Sequence, residues 1–296
     1  MDTPQQRFDD LTDRVETLYA EGRQREALEL LAAPDPAFEP WSADLAHLAA
    51  CLHGSLGEPT AALQVLRAAS DAGAWWAPSI LTDDDLADLQ SLPEFQELVA
   101  LSASRRTPDP RPALIQLPKK SVGVVVALHG AGQGAERAAM DWGGVLELGY
   151  ALVCVESSQR MTPTYRTWPE RERAVEDIAR ALDELPEELR GLPLIAAGFS
   201  AGGRAALDWA LTGEPTRAAG VIVVGPALRE LPGEARNKLQ PAAVLIGEDD
   251  DLLEVVDNAG EQLTAFGLEI ERVPGLAHEF PQDFAERLGK LLPSCG

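Results

Sequence analysis

The chain has 296 residues, room for one large domain and a smaller one at roughly 100 to 200 residues per domain. With 45% hydrophobic and 25% charged residues it has the composition of an ordinary globular protein, which argues against disordered, collagen-like and membrane classes. Lys and Arg number 25 against 48 Asp and Glu, a net charge of −23, and so acidic a surface repels phosphate backbones and anionic headgroups alike: no nucleic-acid partner is expected.

The opening MDTPQQRFDDL has neither the basic nor the apolar part of an export signal, and nowhere do about 18 apolar residues run together, so neither a signal nor a membrane span is expected. Leu11, Val15 and Leu18 then recur at helical spacing, and Ala27, Leu28, Leu30 and Leu31 follow a break at Gly22. The arrangement returns with Gly57 35 residues after Gly22 and Ala62 35 residues after Ala27, which predicts a repeated helical hairpin. The period resembles a pair of tetratricopeptide repeats, without most of their aromatic positions. Two such repeats offer a thin surface for a protein partner or for a second copy of the chain. Trp75 and Trp76 are expected to pack inside. Thr82 is read as the N-cap of a closing helical segment, with Asp83 to Asp85 in its first turn.

At SASRRTPDPRP the helical pattern stops, because Pro108, Pro110 and Pro112 each push the preceding residue out of helix. This predicts an all-α helical-hairpin domain over 1–107 and a second domain over 108–296. In the second, the apolar runs ALIQL, VGVVVAL, YALVCV, LPLIAAG, GVIVVG, AAVLIG and LEIERV alternate with helical stretches, the pattern of an α/β fold whose mostly parallel sheet is covered on both faces. Cys51, Cys154 and Cys295 are too few and too scattered for a disulfide framework, which points to a reducing, cytoplasmic setting.

Chemistry concentrates where LPLIAAG runs into Gly198-Phe199-Ser200-Ala201-Gly202, a G-x-S-x-G between strand and helix. Such a turn presents the Ser200 hydroxyl at the sheet edge. Serine needs a base to take its proton, and the base needs a carboxylate to hold its tautomer. Of the four histidines, His47, His53, His129 and His278, only His278 follows Ser200, in VPGLAHEF after the last predicted strand. The acid is expected at the end of AAVLIG, where Glu248, Asp249, Asp250 and Asp251 stand together; spacing favours Asp250, then Asp249. An oxyanion hole requires the N–H after the nucleophile, that of Ala201, and one from an earlier loop. His129-Gly130-Ala131-Gly132 supplies that loop, with Ala131 N–H as the second donor and His129 in a positional role. Gln133, Met140 and Trp142 after this turn, and Met161, Tyr165 and Trp168 in SSQRMTPTYRTWPE, are candidate acyl-pocket residues, with packing as the competing reading.

Taken together, LHGAG, GFSAGG, GEDDD and GLAH resemble the α/β-hydrolase superfamily, and within it the compact serine esterases of carboxylesterase, phospholipase and dienelactone-hydrolase type. The spacing G-x-x-D, present as Gly247-Glu248-Asp249-Asp250, is the family's reason for choosing Asp250. Dienelactone hydrolases proper use cysteine where Ser200 stands, which disfavours their substrate. The resemblance implies hydrolysis of a small-molecule carboxylic ester, with thioesters and lysophospholipids in the same class, through an acyl-enzyme and without metal or organic cofactor. About fifteen residues separate GVIVVGP from AAVLIG, too few for the cap domain of larger relatives, so a lid has to come from the helical segment or from the loop after YALVCV. One rival remains: Gly130-Ala131-Gly132-Gln133-Gly134-Ala135 fits the dinucleotide-binding G-x-G-x-x-A, with Glu156 as its ribose acid, but it leaves Ser200, the acid loop and His278 unexplained. A partner-binding protein on a hydrolase scaffold is the non-enzymatic alternative. His47 and His53 have no carboxylate at ligand spacing, and no metal site is expected.

Overall fold

In the computed structural model, which describes residues 3–236 and 238–292, the chain divides into two compact units. One comprises the stretch through Pro108 together with Arg160–Tyr165, and the other comprises Asp109–Gln159 with the chain from Arg166 onward. Cys295 lies outside the described residues.

The first unit is helical. Helices α1 (Pro4–Ala20) and α2 (Gln24–Leu31) form one hairpin, and α3 (Ser42–Ser55) and α4 (Pro59–Asp71) a second. Gly22 and Gly57 make the two turns at φ 74° and 70°, a backbone state that glycine adopts without strain. α1 opens with a reciprocal cap between Thr3 and Gln6. Trp76, fully buried, donates its indole N–H to the Ala43 carbonyl at 2.9 Å, and Trp75 is 7% exposed, so both pack inside. The closing segment departs from expectation. Asp84–Leu89 is a 310 turn, followed by α5 (Pro93–Arg105). Its cap is Asp83, whose carboxylate accepts the Asp85 N–H at 3.0 Å, while the Thr82 hydroxyl donates to Ser79 O. Thr82 is therefore not the cap: the turn begins one residue later than the acidic run suggested. The segment Arg160–Tyr165 is held by the same unit. Thr162 and Thr164 donate their hydroxyls to the two oxygens of Asp44 at 2.8 and 2.5 Å, and Met161 O accepts the Ala77 N–H at 2.6 Å.

In the second unit the elements run β1 (Leu114–Gln116), β2 (Gly123–Leu128), α6 (Ala135–Trp142), β3 (Tyr150–Val155), α7 (Arg171–Asp183), β4 (Leu194–Phe199), α8 (Ser200–Thr212), β5 (Gly220–Val224), β6 (Ala242–Gly247), α9 (Leu253–Asn258), α10 (Gly260–Ala265), β7 (Glu269–Val273) and α11 (Phe284–Leu291). The seven-stranded sheet has the order β1-β3-β2-β4-β5-β6-β7, with β1 antiparallel to β3 and the other pairs parallel. Period two sends Val124, Val126 and Leu128 to one face, with α7 and α8, and Val125 and Ala127 to the other, with α6 and α11. Each fully buried Val or Leu side chain of this kind contributes about 1.5–3 kcal/mol. β7 is the exception among the predicted strands: as an edge it is largely exposed, with Val273 as its buried residue. The strand order reverses between β2 and β4, and ligands of such sheets bind at that reversal, outside the carboxyl ends of the strands. No helix among the described residues is long and apolar enough to cross a membrane.

Candidate active site

Ser200 begins α8 directly after β4, and its φ of +52° is the only positive value at a non-glycine among the described residues. Sustaining it requires neighbours without side chains. A Cβ on Gly198 would lie 2.4 Å from Gly202 O, and one on Gly202 would lie 2.3 Å from both Leu128 O and His129 O. The two glycines therefore let the first turn of α8 press against β4 and against the end of β2. This brings the N-terminus of α8, with its outward N–H groups and positive dipole end, next to the turn His129-Gly130-Ala131. Ala131 is exposed and Ala201 is 8% exposed, and neither N–H has an acceptor among the described residues.

That turn is fixed from several sides. His129 is buried; its Nε2 accepts the Ser157 N–H at 3.2 Å, so Nδ1 carries the proton and donates it to Gly130 O at 2.7 Å. Burial holds its pKa below the ordinary histidine value. The Trp168 indole N–H donates to His129 O at 2.8 Å, Gln133 Oε1 accepts the Gly130 N–H at 2.9 Å, and Arg166 O accepts the Gly132 N–H at 2.8 Å.

On the other side of Ser200, His278 Nδ1 lies 2.9 Å from Asp250 Oδ2. Asp250 Oδ1 accepts the Leu252 N–H at 2.8 Å, and its carboxylate is almost fully buried, whereas Glu248, Asp249 and Asp251 are exposed. Two glycines permit the approach. A Cβ on Gly247 would lie 1.9 Å from Leu276 O, so the loop carrying His278 rests on the end of β6; a Cβ on Gly225 would lie 2.9 Å from Asp250 Oδ2 and 3.1 Å from His278 Nδ1. Gly225 follows β5, whose Val224 is in register with Phe199, and the His278 ring stacks at 4.7 Å on Phe199. His278 thus stands over the strand end adjoining Ser200.

The pocket candidates scatter. Trp142 is 1% exposed and packs edge-on against Phe280 and Phe284; Trp168 is fully buried beneath the turn that carries His129; Met140 is 73% exposed. Met161 and Tyr165 are counted with the helical unit, and Gln133 spends its carbonyl oxygen on Gly130.

Sequence reasoning missed the polar network behind the turn. Arg166, 4% exposed, pairs through Nε with Glu156 at 3.1 Å, binds the Asp109 carboxylate, and donates to Ser157 O at 2.6 Å. Glu156 Oε2 in turn accepts the Ala135 N–H at 2.6 Å and so caps α6. Asp177, also buried, accepts the Ser158 N–H at 2.8 Å and pairs with Arg180 at 2.7 Å. The one local signal was the spacing that suggested Glu156 as a ribose acid; its carboxylate is spent on the N-terminus of α6, where a dinucleotide's pyrophosphate would have to sit.

Residues 7–109 match the family described as A/B hydrolase-like, N-terminal domain, and residues 119–246 match the family described as serine aminopeptidase, S33. No curated protein matches the chain at a significant level. Among solved structures, an uncharacterized protein from Bacillus cereus ATCC 10987 is 25% identical with a TM-score of 0.51, over 96% of this chain and 96% of that one. The chain is also similar to acyl-protein thioesterase 2 of Zea mays, at 18% identity and a TM-score of 0.46 over 60% of this chain and 96% of that one. A phospholipase/carboxylesterase from Dyadobacter fermentans DSM 18053 is 18% identical with a TM-score of 0.48, over 62% of this chain and 97% of its own.

Proposed function

Because the chain belongs to the α/β-hydrolase superfamily, we propose that it is a serine hydrolase that cleaves carboxylic esters through an acyl-enzyme, with Ser200 as nucleophile, His278 as base and Asp250 as the acid that orients it. The observation that carries this reading is the 2.9 Å pair between His278 Nδ1 and Asp250 Oδ2, set over the strand end that adjoins the strained Ser200. A carboxylate on Nδ1 leaves Nε2 as the basic nitrogen and supports the imidazolium once it forms.

In this mechanism Ser200 Oγ attacks the ester carbonyl as its proton passes to His278 Nε2. The tetrahedral oxyanion is received by the N–H groups of Ala131 and Ala201, with the α8 dipole adding to the field. Collapse expels the alkoxide, which takes the proton from His278 and leaves as the alcohol. Water, deprotonated by His278 in turn, releases the carboxylic acid and regenerates Ser200.

The test is hydrolysis of p-nitrophenyl esters from acetyl to palmitoyl, beside an acyl thioester and an aminoacyl p-nitroanilide. Ser200→Ala and His278→Ala should each lower kcat on the order of a millionfold, Asp250→Asn about a hundredfold less severely, and Asp249→Asn hardly at all. Loss of activity in Asp249→Asn with Asp250→Asn intact would transfer the acid's role. Preference for the anilide would move the substrate from esters to amides. A wild type inert on every substrate, whose Ser200 also escapes a fluorophosphonate probe, would make the chain a binding protein on a hydrolase scaffold.

A further inference from the structure

The turn into α8 constrains Gly198, Ser200 and Gly202 and leaves residue 199 open, yet a large aromatic side chain stands there. Phe199 is the last residue of β4, and period two turns it to the face that Ile195 and Ala197 share, with α6 and α11. Although it ends its strand, it is only 7% exposed. Two neighbours account for this. A Cβ on Gly130 would lie 2.9 Å from Phe199 Cδ1, so the ring fills space that a side chain at residue 130 would need and rests against the turn His129-Gly130-Ala131. The same ring lies 4.7 Å from the His278 imidazole, centroid to centroid, with 32° between the planes, within the range of offset aromatic pairs.

The imidazole depends on such a contact. Its side chain is 35% exposed, and the pairing of Nδ1 with Asp250 Oδ2 holds one ring atom. The ring plane can still turn about that point, and Nε2, across the ring from it, moves with the plane. Gly225, whose added Cβ would lie 3.1 Å from both Cε1 and Nδ1, borders the same edge and leaves the face free. Phe199 covers the face: tilting the imidazole would drive one edge into the phenyl ring and lift the other out of contact. Phe199 is itself braced. Phe280, two residues after His278 in the same loop, lies 4.9 Å from Phe199 at 34°, and it meets Trp142 at 5.9 Å and Phe284 at 5.0 Å edge-on. Trp142 ends α6 and Phe284 begins α11, so the aromatic stack is rooted in two helices.

Resting on the reading of His278 as the base, we propose that Phe199 is a positioning residue: its ring, lodged against Gly130 and the imidazole at once, fixes the plane of His278 so that Nε2 stays directed at Ser200, and ties the base to the turn that offers the Ala131 N–H. Phe199 neither gives nor takes a proton. Its contribution is orientation, where a displacement of about 1 Å can cost on the order of a hundredfold in rate.

The experiment uses the full chain with isotope-labelled histidine, read by NMR without substrate and by ester kinetics. The carbon-bound ring protons of His278, assigned by their loss in His278→Ala, should be displaced upfield by the ring current of Phe199. Phe199→Leu, which stays apolar but has no ring, should remove the displacement and lower kcat on the order of ten- to a hundredfold with KM nearly unchanged. Phe199→Tyr, which keeps the ring, should retain both. Phe284→Leu thins the same aromatic cluster away from His278; it should lower Tm yet leave the resonances and kcat in place, which separates positioning from folding. Phe280→Leu leaves Phe199 unbraced and should give a smaller change in the same direction, and it carries the test should Phe199→Leu not fold. Undisplaced protons in the wild type, a displacement or a kcat that survives Phe199→Leu, or an equal loss of kcat in Phe284→Leu would each overturn the proposal. The resonances need no turnover: an inert wild type that shows the displacement, and its loss in Phe199→Leu, would end the ester reading while upholding the hold of Phe199 on His278.

Discussion

Burial keeps the imidazole of His129 neutral, and its two hydrogen bonds define which nitrogen carries the proton. The pKa in the folded chain lies below that in the unfolded chain, about 6.5, so the unfolded chain binds more protons as pH falls through that value. The associated stability is complete above about pH 6.5 and is lost progressively as pH falls toward the folded value. His47, lowered by burial in the same sense, adds to it. Thermal melts between about pH 7.5 and pH 5 should therefore show a falling Tm. His129→Gln should lower Tm at neutral pH but flatten the slope. That comparison isolates His129 from Asp44 and Glu16, whose raised pKa values act in the opposite direction. An unchanged slope in the variant would mean that His129 is not the group responsible.

At the scale of elements, the site depends on how closely α8 approaches β2. Replacing a helical glycine by alanine ordinarily gains about 1 kcal/mol of helix propensity. At Gly202 the new methyl would meet two backbone carbonyl oxygens at 2.3 Å, and backbone cannot turn aside as a side chain can. The clash outweighs the propensity: Gly202→Ala should lose more than about 3 kcal/mol in urea unfolding, beyond ordinary overpacking. Gly143, with nothing within 4 Å of its added Cβ, is the control, and Gly143→Ala should stay within about 0.5 kcal/mol of the wild type. Equal losses in the two variants would show that the close approach at Gly202 does not govern stability.

For the whole molecule the dominant quantity is its charge of −23. At low ionic strength the screening length is about 30 Å and the full field reaches an approaching substrate; at 1 M salt it is about 3 Å. The ratio of kcat/KM for a negatively charged ester to that for a neutral ester of equal size should therefore rise as salt is added. A flat ratio would mean that the entrance to the site does not feel the acidic surface.

Much of this protein was legible in the order of its residues. The inner strands announced themselves as short aliphatic runs because a sheet covered on both faces needs apolar side chains on both, and the elbow was legible because its strain admits few residues around Ser200. Histidine count and order singled out His278, since only one imidazole follows the serine. Other features have no local signature. The acidic run offered four neighbouring carboxylates, and it is the resting of Leu276 on Gly247 that carries His278 to Asp250 and leaves the other three in solvent. Arg166 and Glu156 meet behind the turn His129-Gly130-Ala131 only because β3 lies beside β2, and Trp142 and Trp168, for which pocket lining and packing were both open, are buried. The sequence by itself determined the periodicities and the reactive residue types, which are properties of neighbours along the chain. Only the tertiary structure decided which carboxylates meet which imidazoles, because those distances are set by backbone approach between elements that no local pattern encodes.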